Sequence, residues 1–474
     1  MPAQTNSSMK HCPKLPDASA SRLYAAADIV KSGLCIGCGG CAAVHPTASM
    51  TWNEDGFLKP EGPPEWYEAP SEHLSKTCPF SPAAANEDVI AAERFADAGA
   101  IDASIGRFEA AYVGHVSDEP SRNQGSSGGL TSWVAAELLR TGAVDAVAHV
   151  VPTLPQKDGR FFDYRLSSSV DAVLEGAKSR YYPIELSRIL REIRATPGRY
   201  AIVGIPCFIK AINLLRRSDP AIGGRITHTL GLFCGHMKSA AMVESFAWQL
   251  HSEYERVRAV DYRKKDAGRP ANWYRAQLRL DNGSAAEQDW WHLADGDWGA
   301  GFFQNPACDW CDDVVAETAD ISFGDAWVEP HSSDGRGTNV VVVRSKIMKQ
   351  LIEAGRAGGR LSLEPVGPEF VIQTQAAGLR HRREGLAYRL SQRRNGIMPV
   401  KRIAPSADLP LRRKLVYRMR FDIARWSHPI FRLARRVQQP AIYLLWARTS
   451  LSLYQALAWS RGRLGRMIDI ALPR

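Results

Sequence analysis

A chain of 474 residues exceeds one ordinary core and suggests about three units of ~150 residues each. Its 45% hydrophobic and 23% charged content excludes both a disordered chain and a multi-span membrane protein. The net charge of +10 comes from one end: residues 401–474 hold 16 Lys and Arg against 3 Asp and Glu, leaving 44 basic and 47 acidic residues in 1–400, which excludes nucleic acid as the partner of the body.

Residues 1–30 are polar and carry no apolar run of the secretory kind, so they read as a disordered leader on a cytoplasmic protein. Nine cysteines without an export signal point to metal or redox chemistry rather than to disulfides, and Cys12, in the leader, has no partner. Residues 31–100 hold four cysteines and a proline-rich stretch from Pro60 to Pro82, the pattern of a small, loop-rich module held by a metal. From Phe108 the pattern changes. Strands are predicted over Phe108–Val116, Val144–Val151, Arg199–Ile205, Ile226–Phe233, Ala319–Phe323 and Asn339–Val343. Helices are predicted over Leu130–Thr141, Phe208–Arg217 and Ser239–His251. Strands alternating with helices predict an α/β body with a mostly parallel sheet. A small N-terminal ferredoxin-like iron–sulfur module would precede this body, and a basic helical tail would follow it.

Cys35, Cys38 and Cys41 stand in C-I-G-C-G-G-C, a C-x2-C-x2-C run that wraps backbone around a cubane cluster, with glycines that let amides approach the sulfides. A cubane needs four thiolates. The ferredoxin form would place the fourth at position 45, which is His45; the next cysteine is Cys78, also followed by proline. The inferred ligands are Cys35, Cys38, Cys41 and Cys78, with His45 as the alternative to Cys78 and a zinc site as the competing reading. Cys207 and Cys234 each end a predicted strand and precede a helix. If those strands are parallel neighbours, both thiols lie at the carboxyl edge where α/β sheets build sites. With Cys308 and Cys311, a C-x2-C pair, they could hold a second [4Fe–4S] cluster; alternatively, Cys207 and Cys234 are buried small hydrophobes.

Between a strand and a helix lies Arg122–Gly129 (RNQGSSGG). Ser126, Ser127, Gly128 and Gly129 at a helix N-terminus suit a phosphate or pyrophosphate, and Arg122 could add charge. A turn with an N-cap serine would leave the same signature. Lys178, Ser179 and Arg180 could reach the same anion.

Together these segments resemble the family of coenzyme F-420 hydrogenase/dehydrogenase beta subunits, which is related to 7-hydroxymethyl chlorophyll a reductase. The carrying motifs are CIGCGGC (35–41), DGFLKP (55–60), SSGGLT (126–131), AKSRYY (177–182), VGIPC (203–207), LFCG (232–235), CDWCDD (308–313) and ADISFGDAW (319–327). The resemblance implies FAD and one or two [4Fe–4S] clusters. It carries the flavin role to Ser126, Ser127, Gly128 and Gly129, with Lys178 and Ser179, and cluster ligation to the two cysteine sets. It implies an oxidoreductase passing electrons between clusters and FAD to reduce or oxidise an organic substrate or deazaflavin, or else a non-catalytic electron-transfer subunit of a larger complex. The units are then 1–30 leader, 31–100 cluster module, 101–195 flavin-binding part, 196–380 second-cluster part and 381–474 tail. His236 and Asp325 are candidate proton donors near the flavin; the plainer reading makes them polar residues at the surface or behind the ligands.

In the tail, Arg412, Arg413, Lys414, Arg418 and later arginines interleave with Trp, Phe, Leu and Ile. Ala441–Trp459 contains Arg448 and several hydroxyls, which disfavours a spanning helix and suits an interfacial one at the inner face of a membrane. A docking helix for an acidic ferredoxin-like electron donor or redox subunit, and a plain solvated helix, are the alternatives.

Overall fold

The computed structural model describes residues 22–155 and 159–472; Cys12 and the leader up to residue 21 lie outside the described residues. Apolar, β-branched runs build the centre. Strands β1 (Ala110–Val116), β2 (Ala146–Pro152), β3 (Phe162–Ser167), β4 (Tyr200–Gly204), β5 (Ile226–Leu232), β6 (Ile321–Asp325), β7 (Asn339–Val343) and β8 (Leu361–Pro365) form one sheet. Their spatial order is β8-β1-β7-β6-β5-β4-β2-β3. The four central strands β2, β4, β5 and β6 pair in parallel. The remaining pairings are antiparallel. Five of the eight strands therefore run in one direction; the predicted strands β2, β4, β5 and β6 pair in parallel, whereas the predicted strands β1 and β7 have only antiparallel partners. β7 is NVVVV and buried throughout, the unbroken apolar run of a strand covered on both faces.

Helix α1 (Leu130–Arg140) follows the glycine-rich loop. Helix α2 (Pro206–Ser218) starts with Pro206 in its first turn, buries Phe208, Ile209, Ile212 and Leu215, and ends on Arg216 and Arg217, which suit a helix C-terminus. α1 packs on one face of the sheet with Leu130, Val134 and Leu138, against Val341 and Ile352. The opposite face carries the larger core, where Ile36 and Phe80 of the N-terminal segment meet Ile202, Ile209 and Phe208. Residues 31–100 contribute a two-stranded hairpin, Ser49–Trp52 with Leu58–Glu61, and four short helices.

The C-terminal segment is helical, and it is built into the core. The segment begins with α3 (Ala376–Arg382) and the helix Glu384–Gln392, with Arg382 and Arg389 buried. Helices α4 (Leu411–Arg436), α5 (Pro440–Trp459) and α6 (Gly462–Ala471) follow. α4 buries Tyr417, Ile423 and Phe431, and α5 buries Tyr443 and Tyr454. Phe431 stacks on Trp248 at 4.4 Å and meets Phe303 at 5.2 Å. The Ser427 hydroxyl accepts the Phe303 amide, and His428 Nε2 lies 3.1 Å from the Gln304 carbonyl oxygen. Of the interleaved aromatics, Phe431, Tyr443 and Trp446 form the seam against Phe302 and Phe303, while Trp426 and Trp459 stay exposed.

Candidate metal centres and the adjoining aromatic wall

The eight candidate ligands fall into two groups of four. Cys35 and Cys38 lie in the loop after the helix Ala26–Lys31, Cys41 in the short helix Gly40–Ala43, and Cys78 at the C-terminal cap of the helix Glu72–Thr77. All four line one cavity. Cys78 completes the group; His45 does not reach the cavity and lies against Trp66 at 5.2 Å. Two of the glycines between the cysteines, Gly37 and Gly39, are required by close approach. Gly39 has φ +78°, and a Cβ there would stand 2.3 Å from Glu185 Oε2 and 2.9 Å from the Ser187 amide nitrogen.

The second group lines a second cavity: Cys207 in the first turn of α2, Cys234 just after β5, and Cys308 and Cys311 at the turn Pro306–Trp310. β4 and β5 are parallel neighbours, so Cys207 and Cys234 stand together at their carboxyl edge. Ile36 and Phe80 line both cavities, so the two groups face each other across one layer of side chains.

All eight cysteines are unpaired by disulfides. Burial pushes the Cys38 thiol well up, and Cys78 beside it pushes it further. Burial raises Cys78 to about 11 and Cys308 to about 12. Backbone amides counter this: Gly40 toward Cys38, Ala42 toward Cys41, Phe80 and Ser81 toward Cys78, and Met237, whose N–H donates to Cys308 Sγ at 3.3 Å. Four thiols gathered at each cavity, with amides aimed at Cys38, Cys41, Cys78 and Cys308, form a donor set for a positively charged metal core. Among the described residues no three His, Cys, Asp or Glu side chains converge on a point that could hold a single ion.

The glycine-rich loop and the 178–180 segment meet, because the Ser179 amide donates to Ser126 Oγ at 2.7 Å. Several loop groups are engaged internally. Ser127 Oγ donates to the Thr338 carbonyl, and Asn339 Oδ1 accepts the Leu130 amide, the first N–H of α1. A Cβ on Gly128 would stand 2.7 Å from the Gly114 carbonyl oxygen. Gly129, at φ +83°, is the N-cap of α1. Arg122, expected to lend charge to an anion, is buried and turned inward. It donates to the Gly337 carbonyl and pairs with Asp334 at 2.9 Å. Lys178 Nζ lies 3.3 Å from Asp261 and donates to the Arg263 carbonyl. Arg180 lies over the Phe162 ring at 5.0 Å, and burial lowers its guanidinium to about 10.

From this loop an aromatic wall runs to the second cysteine group. Tyr181 meets Trp298 at 4.5 Å, Trp290 stacks on Trp298, and His236, two residues from Cys234, meets Trp298 at 4.7 Å. Buried nitrogens without hydrogen-bond partners mark the path: Arg122 Nη1, Arg180 Nε, Arg263 Nε and His236 Nε2. Burial holds His236 far below the usual imidazole range. Asp325 makes a two-pronged ion pair with Arg263 at 2.9 and 3.0 Å, so it acts there as a counter-ion. Sequence reasoning missed Arg263, Trp298 and Arg382, which lines the second cavity. Their signal is weak because isolated Arg and Trp residues carry no spacing.

Residues 111–191 match the N-terminal model, and residues 198–369 the C-terminal model, of the coenzyme F420 hydrogenase/dehydrogenase beta subunit, together more than half of the chain. The chain belongs to this family. A subunit of the F(420)H(2) dehydrogenase of Methanosarcina mazei is 22% identical over 217 residues, 44% of this chain and 55% of that protein. The chain thus matches about half the length of that curated relative. A chain of the F420-reducing [NiFe] hydrogenase complex from Methanosarcina barkeri, solved as a xenon derivative, is similar with a TM-score of 0.48 and 16% identity, over 62% of this chain and 96% of its own. Cys207, Cys234, Cys308 and Cys311 lie inside the matched segments. Cys35, Cys38, Cys41, Cys78 and everything from α3 onward lie outside them.

Proposed function

We propose that this chain is the iron–sulfur flavoprotein subunit of an oxidoreductase. Its two cysteine groups hold [4Fe–4S] clusters, and a flavin, FAD, lies along the wall between the glycine-rich loop and Cys234. The observation that carries the reading is the convergence of eight cysteines, drawn from five stretches of the sequence, on two adjoining cavities. The donor sets fit such clusters: each cavity is lined by four cysteines, and amides point at Cys38, Cys41, Cys78 and Cys308. The fit to FAD rests on the aromatic wall and on its orphaned buried nitrogens. Bound there, clusters supply one-electron and a flavin two-electron chemistry, which couples single-electron carriers to an organic substrate or deazaflavin.

The chain's own residues have separable tasks. Ile36 and Phe80 exclude water between the two cysteine groups. Arg180 and the 126–129 and 178–179 segments meet the anionic part of the flavin, while Arg122 and Asp334 hold the loop in shape. Tyr181 and Trp298 present a flat face to the ring system. Membership of a family of beta subunits supports a redox partner, either a further subunit or a ferredoxin-like donor, and a purely electron-transferring role is the second reading. The outer faces of α5 and α6 support a peripheral contact with an anionic membrane. Leu445, Met467 and Ile470 are 71%, 66% and 87% exposed, and Arg448, Arg463 and Arg466 are their near neighbours in sequence. No helix among the described residues is long and apolar enough to cross a membrane.

The test is iron, sulfide, zinc and flavin stoichiometry on one anaerobically purified sample. About eight irons and one FAD are expected, and Cys38→Ala should lose about half the iron. Zinc without flavin or sulfide overturns the reading.

A further inference from the structure

A single cation forms part of the wall of the second cavity. Arg382, the last residue of α3, is 2% exposed and lines the cavity with Cys207, Cys234, Cys308 and Cys311. Its Nη1 donates to the Cys308 carbonyl at 3.1 Å, and its Nη2 donates to the Cys234 and Gly235 carbonyls. The guanidinium thus ties together the two loops that deliver three of the four thiols.

Its charge is unbalanced by the rest of the protein. Arg383 meets Glu317, Arg389 meets Asp309, and Arg402 meets both Asp312 and Glu317. Arg382, on the same stretch of chain, has no carboxylate within ion-pair distance among the described residues. The wall's one carboxylate, Asp313, is turned to the amides of Val315 and Glu317. A buried charge persists only beside an opposite one, and the opposite charge available here is what the cavity holds. The first cavity has no Lys or Arg in its wall; Lys59 donates to the Cys35 carbonyl, and Lys210, behind Cys78, is already paired with Glu87 at 3.1 Å.

We infer that Arg382 is the charge-compensating positioning residue of the second cysteine group, making a cluster held there easier to reduce while leaving the first unaffected. This rests on the proposed cluster-binding role of the two cysteine groups. A four-thiolate cubane is a net anion that gains negative charge on reduction, and a fixed cation against it stabilises the reduced form more than the oxidised one.

The experiment compares wild type, R382Q and R382K, each reconstituted anaerobically, by iron count and by a redox titration followed by electron paramagnetic resonance. For R382Q with full iron, one of the two midpoint potentials should move to a more negative value while the other stays. R382K should return most of that shift. If R382Q alone loses the second group's irons and R382K keeps them, the charge is what the cluster requires, and the inference stands. Two unmoved potentials in a fully loaded R382Q overturn it, as does equal loss of iron in both variants, which would make Arg382 a structural tie only. Wild type without a second set of irons would instead overturn the cluster reading itself.

Discussion

His149 on β2 shows how a buried side chain that plays no part in the site shapes the behaviour of the molecule. It is 6% exposed, and its Nε2 lies 2.8 Å from Ser167 Oγ. Burial lowers its imidazole to about 4. The native state therefore refuses a proton that the unfolded chain accepts below about 6.5. Stability contributed by the neutral ring is intact above about 6.5 and is lost as pH falls toward 4, by about 3 kcal/mol at most. Denaturation midpoints followed from pH 7.5 to 4.5 should fall, and His149→Gln should fall less steeply; equal slopes would show that His149 is not responsible. His228 is pushed the same way by burial and adds to the trend. At this scale the cysteines were legible in sequence, because a C-x2-C-x2-C run and thiols at strand ends are patterns with a geometric meaning. Arg382 was not, because in R-H-R-R it resembles a solvated basic patch, and only tertiary packing turns it inward.

Between elements, Asn339 at the start of β7 joins three of them. Its Oδ1 accepts the Leu130 amide of α1, and its Nδ2 donates to the Gly324 carbonyl of β6. Asn339→Leu leaves a buried donor and acceptor unmatched, and a loss of about 1–3 kcal/mol is expected in the stability read from urea denaturation; an unchanged midpoint would mean that water replaces the side chain. The same contact explains why the glycine-rich loop reads ambiguously. A helix N-terminus signals an anion site only while its amides are free, and here a residue more than two hundred positions away takes the first of them. Strands β4 and β7, with their apolar runs, and β5, whose Thr and His residues are buried or half-buried, were found close to where the sequence placed them. The three-stranded sheet of Val257–Lys264, Arg275–Leu280 and Ala285–Asp289 was not foreseen. Its strands are rich in Arg, Glu and Asp held by cross-strand ion pairs such as Lys264–Glu287 and Arg275–Asp289, so they lack the apolar signal that marks a strand. Edge strand β8, with a proline and two exposed polar residues, is silent for the same reason.

For the whole molecule, the C-terminal helices are the clearest departure from what composition suggests. Removing residues 411–474 would uncover Phe303 and Trp248, at about 1.5–3 kcal/mol for each large side chain returned to water. Insoluble or aggregated protein is expected from that truncation; a soluble monomer with native iron content would show the helices to be dispensable. Their outer face makes a separate prediction. Full-length protein should co-sediment with vesicles containing phosphatidylglycerol and not with phosphatidylcholine alone, and Met467→Asp with Ile470→Asp should abolish this without changing iron content. Binding that ignores lipid charge, or survives both substitutions, would argue against a membrane role. The thin partition of Ile36 and Phe80 should also betray itself without any substrate. Paramagnetic centres on its two sides would be near enough for their spins to sense one another. The resonance of the fully reduced protein should then be broadened or split, and should differ from the sum of the two half-reduced spectra.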